Sequence, residues 1–184
     1  ACQTYSLVRT QFDTLLTQAE PKLAWLASQL TPAQIRNLQK KQAKGNADWK
    51  EEWLDITPEK LRDHRFQKLL ERTESFYGTL QASQQAALKT FIAQSSFDPQ
   101  RTYAERLRRQ QDLVQVLQKI APNPAHSEQS RTLVRGYVAR FNTSPDVAFQ
   151  RYAQTLVKEG CEGFSLVHNT MTPAQRFKAV QSVQ

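Results

Sequence analysis

Leu30-Thr31-Pro32-Ala33-Gln34-Ile35, LTPAQI, writes a whole helix start in six residues. Threonine at the N-cap offers its side-chain oxygen to an amide that has no partner within the helix, and proline at the first helical position sacrifices no hydrogen bond. Gln34 stands at the third position, where its amide reaches back to the cap backbone and closes a capping box. Leu30 and Ile35 on either side are placed as a hydrophobic staple. Together these features stabilise a helix end by about 1–2 kcal/mol. The pattern returns as Met171-Thr172-Pro173-Ala174-Gln175, with Thr172 and Gln175 in the box and Arg176 where the staple would need an apolar residue. Leu80-Gln81-Ala82-Ser83-Gln84 echoes it without the threonine.

The remaining helix starts are marked in a similar way. Thr57-Pro58, Asp98-Pro99 and Ser144-Pro145 each set a capping residue before proline, and Ser127 before Glu128 is a further start. Pro21 is expected to break or kink a first helix that begins near Gln3. Between the starts, apolar residues recur at three-and-four spacing. One stripe is Phe66, Leu69, Leu70, Thr73, Phe76 and Tyr77, ended by Gly78. A second runs through Tyr103, Leu107, Val114, Leu117 and Ala121 to a Pro122–Pro124 loop, and a third through Leu133, Val134, Tyr137, Val138 and Phe141. A fourth continues through Phe149, Tyr152, Leu156, Gly163 and Val167. No segment alternates as a strand does, and only five glycines occur. The expectation is an all-α protein, one domain over residues 1–184, with seven or eight helices and short loops. It is either a compact bundle or an open cradle with an apolar concave face.

One helix departs from the pattern. After Ile35 and Leu38 its inward positions fall on Gln39, Gln42, Gly45 and Asn46 before Trp49 and Trp53 restore the stripe. This is either a bent surface helix or a seam open to solvent or a ligand.

Apolar residues at 39% and charged residues at 23% describe a folded chain and exclude a disordered one. No apolar run approaches the length that spans a bilayer. The chain begins at Ala1, which implies a removed targeting segment or an excised domain. Lys and Arg number 25 against 17 Asp and Glu, a net charge of +8 that favours nucleic acid, anionic lipid or acidic protein surfaces, or serves solubility alone. The basic residues cluster as Arg36, Lys40, Lys41 and Lys44, and as Arg101, Arg106, Arg108 and Arg109. They read as solvated helix faces or as a contact surface for acidic or unfolded protein. Trp49 and Trp53 beside Lys50 are core residues or a platform for stacked bases. No helix-turn-helix or RNA-binding motif accompanies them.

Cys2 and Cys161 are inert, metal-bound or paired on composition alone, and His64, His126 and His168 lack metal-ligand spacing. His168 follows Cys161 on roughly one helix face, but no orienting acid or oxyanion hole accompanies the pair. Glu51, Glu52 and Asp55, and Glu71 with Glu74, are interleaved with Lys50, Arg65, Lys68 and Arg72, which reads as a salt-bridged solvent face. There is no phosphate-binding glycine loop and no nucleophile elbow. No catalytic residue, cofactor or metal is expected.

The LTxxQ spelling of residues 30–34, nearly matched at 171–175, resembles the signature of the Spy and CpxP family of bacterial periplasmic stress proteins. A longer succession covers most of the chain: the helix with Cys2, then LTPAQ, then NADWKEEWL (46–54) and RTESFYGTL (72–80). It continues with Ser96-Phe97-Asp98 leading into ERLRRQQ (105–111), and ends in HNTMTPAQR (168–176). This order resembles a family of uncharacterised proteobacterial envelope lipoproteins, classed as a domain of unknown function. That resemblance implies an exported helical protein in which Cys2 and Cys161 pair. Ala1-Cys2 also reads as the end of a lipobox, but a lipidated Cys2 would leave Cys161 alone. A bridge closing so long a loop stabilises by about 5 kcal/mol in the chain-entropy model.

The expected function is therefore that of a non-enzymatic periplasmic or envelope protein that binds other proteins, a chaperone or stress adaptor working without ATP. It would be lipid-anchored, if at all, through a segment outside this chain. The alternatives are a structural or anionic-membrane-surface lipoprotein domain of the envelope, and a cytoplasmic nucleic-acid-binding module.

Overall fold

The computed structural model describes residues 1–121 and 127–182. Among them are eight α-helices and no strand: α1 (Cys2–Ser28), α2 (Pro32–Trp53), α3 (Pro58–Tyr77), α4 (Ala82–Gln94), α5 (Pro99–Ile120), α6 (Glu128–Asn142), α7 (Val147–Thr170) and α8 (Pro173–Gln181). The fold is all-α, as the periodicities require. The predicted Pro122–Pro124 loop and His126 lie outside the described residues.

Thr31, Thr57, Asp98, Ser127 and Thr172 all cap as their positions predict. In the LTPAQI segment, Thr31 N donates to Gln34 Oε1 at 2.8 Å and Gln34 N donates to Thr31 Oγ1 at 3.2 Å. Ile35 is buried with Leu30 packed on the same core, so the staple is made. Two expectations are corrected. The break expected at Pro21 does not occur: α1 runs on as one helix, because loss of one amide does not outweigh the hydrogen bonds of its 27 residues. The cap of α7 is Asp146 and not Ser144: Asp146 Oδ1 accepts from Ala148 N and Phe149 N at 2.8 and 3.2 Å. A carboxylate on two orphan amides is the stronger cap, and it leaves the Ser144 hydroxyl to donate to Glu105 Oε2 at 3.0 Å.

The chain divides into two compact units. Unit 1 comprises Ala1–Tyr5, Ile56–Phe97 and Tyr152–Gln184; unit 2 comprises Ser6–Asp55 and Asp98–Arg151. In unit 1, α3 packs on α4 and α8 around a core of Phe66, Tyr77, Leu80, Leu88, Ile92, Val167 and Met171. Cys2 is bridged to Cys161 within this unit, Cα to Cα 5.3 Å. In unit 2, α5 packs on α2 and α6, and Ile35, Val114, Leu117, Ile120 and Val134 form a core with Ala24 and Ala27 of α1.

Gly78 ends α3 with φ +79°, a conformation that suits glycine. Leu80 N, just beyond, donates to Glu74 Oε1 at 2.9 Å, which gives that carboxylate a structural post.

Candidate functional site

The basic residues singled out in the sequence meet different fates. Arg36, Lys40, Lys41 and Lys44 stand exposed along α2, with Lys44 paired to Asp48 at 2.9 Å. Arg101 is exposed beside Asp98 at 3.4 Å. Arg106, Arg108 and Arg109 are drawn into unit 2. Arg106 Nε donates to Asn46 Oδ1 at 2.8 Å, while Arg108 and Arg109 both grip Glu105, whose side chain is only 4% exposed. Burial alone would raise the Glu105 pKa. Hydrogen bonds from Arg108, Arg109 and Ser144 overcome it and hold the carboxyl below the ordinary range.

The polar middle of α2 faces α5. Asn46 Nδ2 donates to Gln110 Oε1 at 2.7 Å, and Gln110 Nε2 returns a bond to Asn46 Oδ1 at 3.0 Å. Trp49 stacks on Tyr103 with ring centroids 5.3 Å apart, and Trp53 lies 6.0 Å from Trp49. At Asn46 the polar seam is thus hydrogen-bonded to α5, while Gln39 and Gln42 line an open hollow between the two helices.

The histidine and cysteine near the end of α7 are both occupied. Cys161 is bridged, and His168 Nδ1 lies 2.9 Å from the Tyr77 hydroxyl while its ring stacks on Phe164 at 5.8 Å. Burial raises the Tyr77 pKa. Among the described residues no group of three His, Cys, Asp or Glu side chains could hold a metal ion, and no helix is long and apolar enough to cross a membrane.

Each unit carries an apolar recess. The recess of unit 1 measures about 260 Å³ and lies between α3, α4 and α7. Leu88, Phe91 and Val167 line it, Gly160 and Gly163 supply wall without side chains, and Phe76 and Phe164, 41% and 54% exposed, stand beside it. The two glycines differ. A Cβ at Gly163 would overlap the Phe91 ring, so glycine is needed for α4 to approach; a Cβ at Gly160 would meet nothing within 4 Å. Arg72 is the one charged residue in its lining.

The recess of unit 2 measures about 310 Å³ and lies between α1, α5 and α6. Its walls are Phe12, Leu16, Leu23 and Leu26 on α1, Leu113 and Leu117 on α5, and Val134, Val138 and Phe141 on α6. A polar clasp ties α1 to α6: Arg135 Nε and Nη2 donate to the two Glu20 oxygens at 2.8 and 2.9 Å, and Asn142 Nδ2 donates to Asp13 Oδ1 at 2.8 Å. Arg9 Nη2 adds a bond to the Asn142 carbonyl at 3.0 Å.

Neither recess follows from the sequence motifs. The α1 wall has a sequence signal, since Phe12, Leu16, Leu23 and Leu26 share one helical face. In unit 1 the signal is a pair of glycines three residues apart within a helix. What no pattern shows is that the facing helices stop short of filling the space.

No curated protein and no solved structure matches the chain. A family model described as a family of unknown function, DUF6279, matches residues 3–136. That match covers more than half of the chain, and the protein belongs to this family of unknown function.

Proposed function

We propose that the protein is a non-enzymatic binding protein of the bacterial envelope that holds apolar segments of other proteins without ATP, as a chaperone or stress adaptor. The observation that carries this reading is the recess of unit 1. Two phenyl rings, Phe76 and Phe164, are left in water beside an apolar hollow walled in part by the bare backbone of Gly160. Apolar side chains kept exposed beside an unfilled hollow lose hydrophobic stabilisation unless a partner covers them. A hollow of this size takes one or two apolar side chains of a client segment, the anchoring mode of protein interfaces. The surplus of positive charge would speed the first encounter with acidic or unfolded chains. The envelope assignment is supported by the Cys2–Cys161 bridge, which persists in oxidising compartments, and by the resemblance to envelope lipoproteins and to LTxxQ proteins.

Dilution of a denatured client into buffer with this protein, followed by light scattering, tests the reading. Suppression near equal molar ratio is expected, weaker at high salt. Gly160→Leu places a side chain in the hollow, meets no neighbour at its Cβ, and replaces a poor helix former by a good one. It is expected to remove suppression while melting no lower than the parent. Absence of suppression by the parent at several-fold excess would sink the proposal, and so would full suppression by Gly160→Leu.

A further inference from the structure

We infer that the groove between α2 and α5 of unit 2 binds an extended segment of polypeptide through its main chain, with glutamine side chains as the partners of its peptide groups. The hollow beside Asn46 measures about 520 Å³ and runs on past Gln39 and Gln118 into a second of about 300 Å³ that reaches Pro32. From Pro32 to Asn46 is about 21 Å at the rise of an α-helix, room for about six extended residues. Inward positions on paired helices are ordinarily apolar, since burial there stabilises the pair. Here α2 presents Gln39 and Gln42, and α5 presents Gln111, Gln115 and Gln118. Amides facing each other across a seam pair when they can reach, as Asn46 and Gln110 do. Among the described residues, the side chains of those five glutamines hydrogen-bond to no other residue. The two helices forgo apolar burial along this stretch and gain no hydrogen bond within the chain, and a rule broken without internal compensation marks a site of function.

The lining decides the class of ligand. A glutamine amide donates and accepts without carrying charge, as a peptide group does. Arg36, at the Pro32 end, is the one charged residue in the two linings, so a nucleic acid or an anionic lipid would meet too few cations. Trp49, Trp53 and Tyr103 are stacked on one another, and no aromatic ring stands in either lining to take the face of a base or a sugar. An alkyl chain would strip water from the amides and return no bond. An extended polypeptide meets each demand. Its N–H and C=O groups bond sideways to the amides of both helices, and every second side chain turns toward Leu107 and Val114, the apolar residues among the glutamines. The groove therefore selects an extended conformation with little regard to sequence. This goes beyond the recess of unit 1, which takes single apolar side chains, because here the partner's backbone is what is recognised.

Titration calorimetry of the full chain with a capped hexapeptide of alternating serine and valine, at up to about 1 mM, tests the groove. One peptide per chain is expected, and methylation of every second amide nitrogen, which removes donors, should weaken binding at least about tenfold. Gln42→Leu/Gln115→Leu restores apolar inward positions with a good helix former, so it should melt no lower than the parent and lose at least about tenfold in affinity. Gln39→Leu/Gln111→Leu takes its place should the first variant not fold. Gly160→Leu fills the recess of unit 1 and should bind the hexapeptide as the parent does. No saturable binding overturns the inference even where aggregation is suppressed, as does equal binding of the methylated peptide or unchanged affinity in a folded double variant. Loss of binding in Gly160→Leu would overturn it by placing the peptide in unit 1. Tighter binding of chitotetraose than of the hexapeptide would overturn it in favour of a glycan.

Discussion

Glu20 of α1 and Arg135 of α6 form a two-pronged ion pair in which the carboxylate is buried and the guanidinium is more than half exposed. The pair joins residues 115 apart in sequence, and Arg131 adds a second cation at 3.4 Å. Hydrogen bonding from Arg135 is the main reason the Glu20 pKa lies below the ordinary carboxylate value, against the opposing effect of burial.

Glu20 and Glu105 both have folded-state pKa values below the unfolded one, so the folded protein binds fewer protons than the unfolded chain as pH falls. Their stabilisation is fully present above the unfolded glutamate value of about 4.3 and is lost as pH descends through the folded values. Melting temperature should therefore be level from neutral pH to about pH 5.5 and then fall steeply. In the double variant Glu20→Gln/Glu105→Gln the fall should be shallower, from a lower starting point. An unchanged acid limb in that variant would show that other carboxylates govern it.

Glu105→Gln alone should cost about 3 kcal/mol at neutral pH, since it strips a buried acceptor of charge beneath Arg108, Arg109 and Ser144. Urea denaturation gives the value, and a loss under 1 kcal/mol would mean the two guanidiniums re-solvate freely.

Gly163→Ala and Gly160→Ala lie three residues apart on α7 and should change stability in opposite directions. The first drives a methyl into the Phe91 ring and should cost about 1–3 kcal/mol, whereas the second should gain up to about 1 kcal/mol of helix propensity. Chemical denaturation of both variants checks the contrast, which collapses if both are stabilising.

Gln175→Ala should destabilise more than Gln34→Ala, although both empty the same place in a capping box. Gln34 serves its own helix end, at a cost of about 1 kcal/mol. Gln175 also donates to the Thr79 carbonyl at 3.0 Å and exchanges bonds with Gln84, itself 2% exposed. Losing it leaves a buried amide short of a partner, about 2–3 kcal/mol in total. Equal losses by thermal melting would reduce MTPAQ to a cap.

Cys2 and Cys161 stand 159 positions apart, and the bridge between them limits the unfolded chain. Reduction, or Cys2→Ser with Cys161→Ser, should lower stability by as much as about 5 kcal/mol in the chain-entropy model. Melting with and without a phosphine reductant measures it. A melting temperature indifferent to reductant, with free thiols confirmed by titration, would show that the reduced unfolded state is already restricted.

The helices were legible because their determinants are local. A cap, a proline and an apolar stripe act within a few residues, so Thr31, Thr57, Asp98, Ser127 and Thr172 start helices wherever the chain is placed. Ser144 failed as a cap for a reason outside its own segment: Glu105, far away in sequence, accepts from its hydroxyl while Asp146 supplies a stronger cap. Arg106, Arg108 and Arg109 look in sequence like the lysines of α2. Only tertiary structure separates the arginines that grip Asn46 and Glu105 from the lysines left in water. The two recesses were legible only as an apolar face on α1 and a glycine pair on α7, because a hollow is a failure of distant helices to meet, and spacing along one helix records only which face is apolar. By itself the sequence determined an all-α fold of seven or eight helices and their apolar faces; packing decided which charges are buried and where apolar space is left open, since those depend on distances between residues that the chain order does not set.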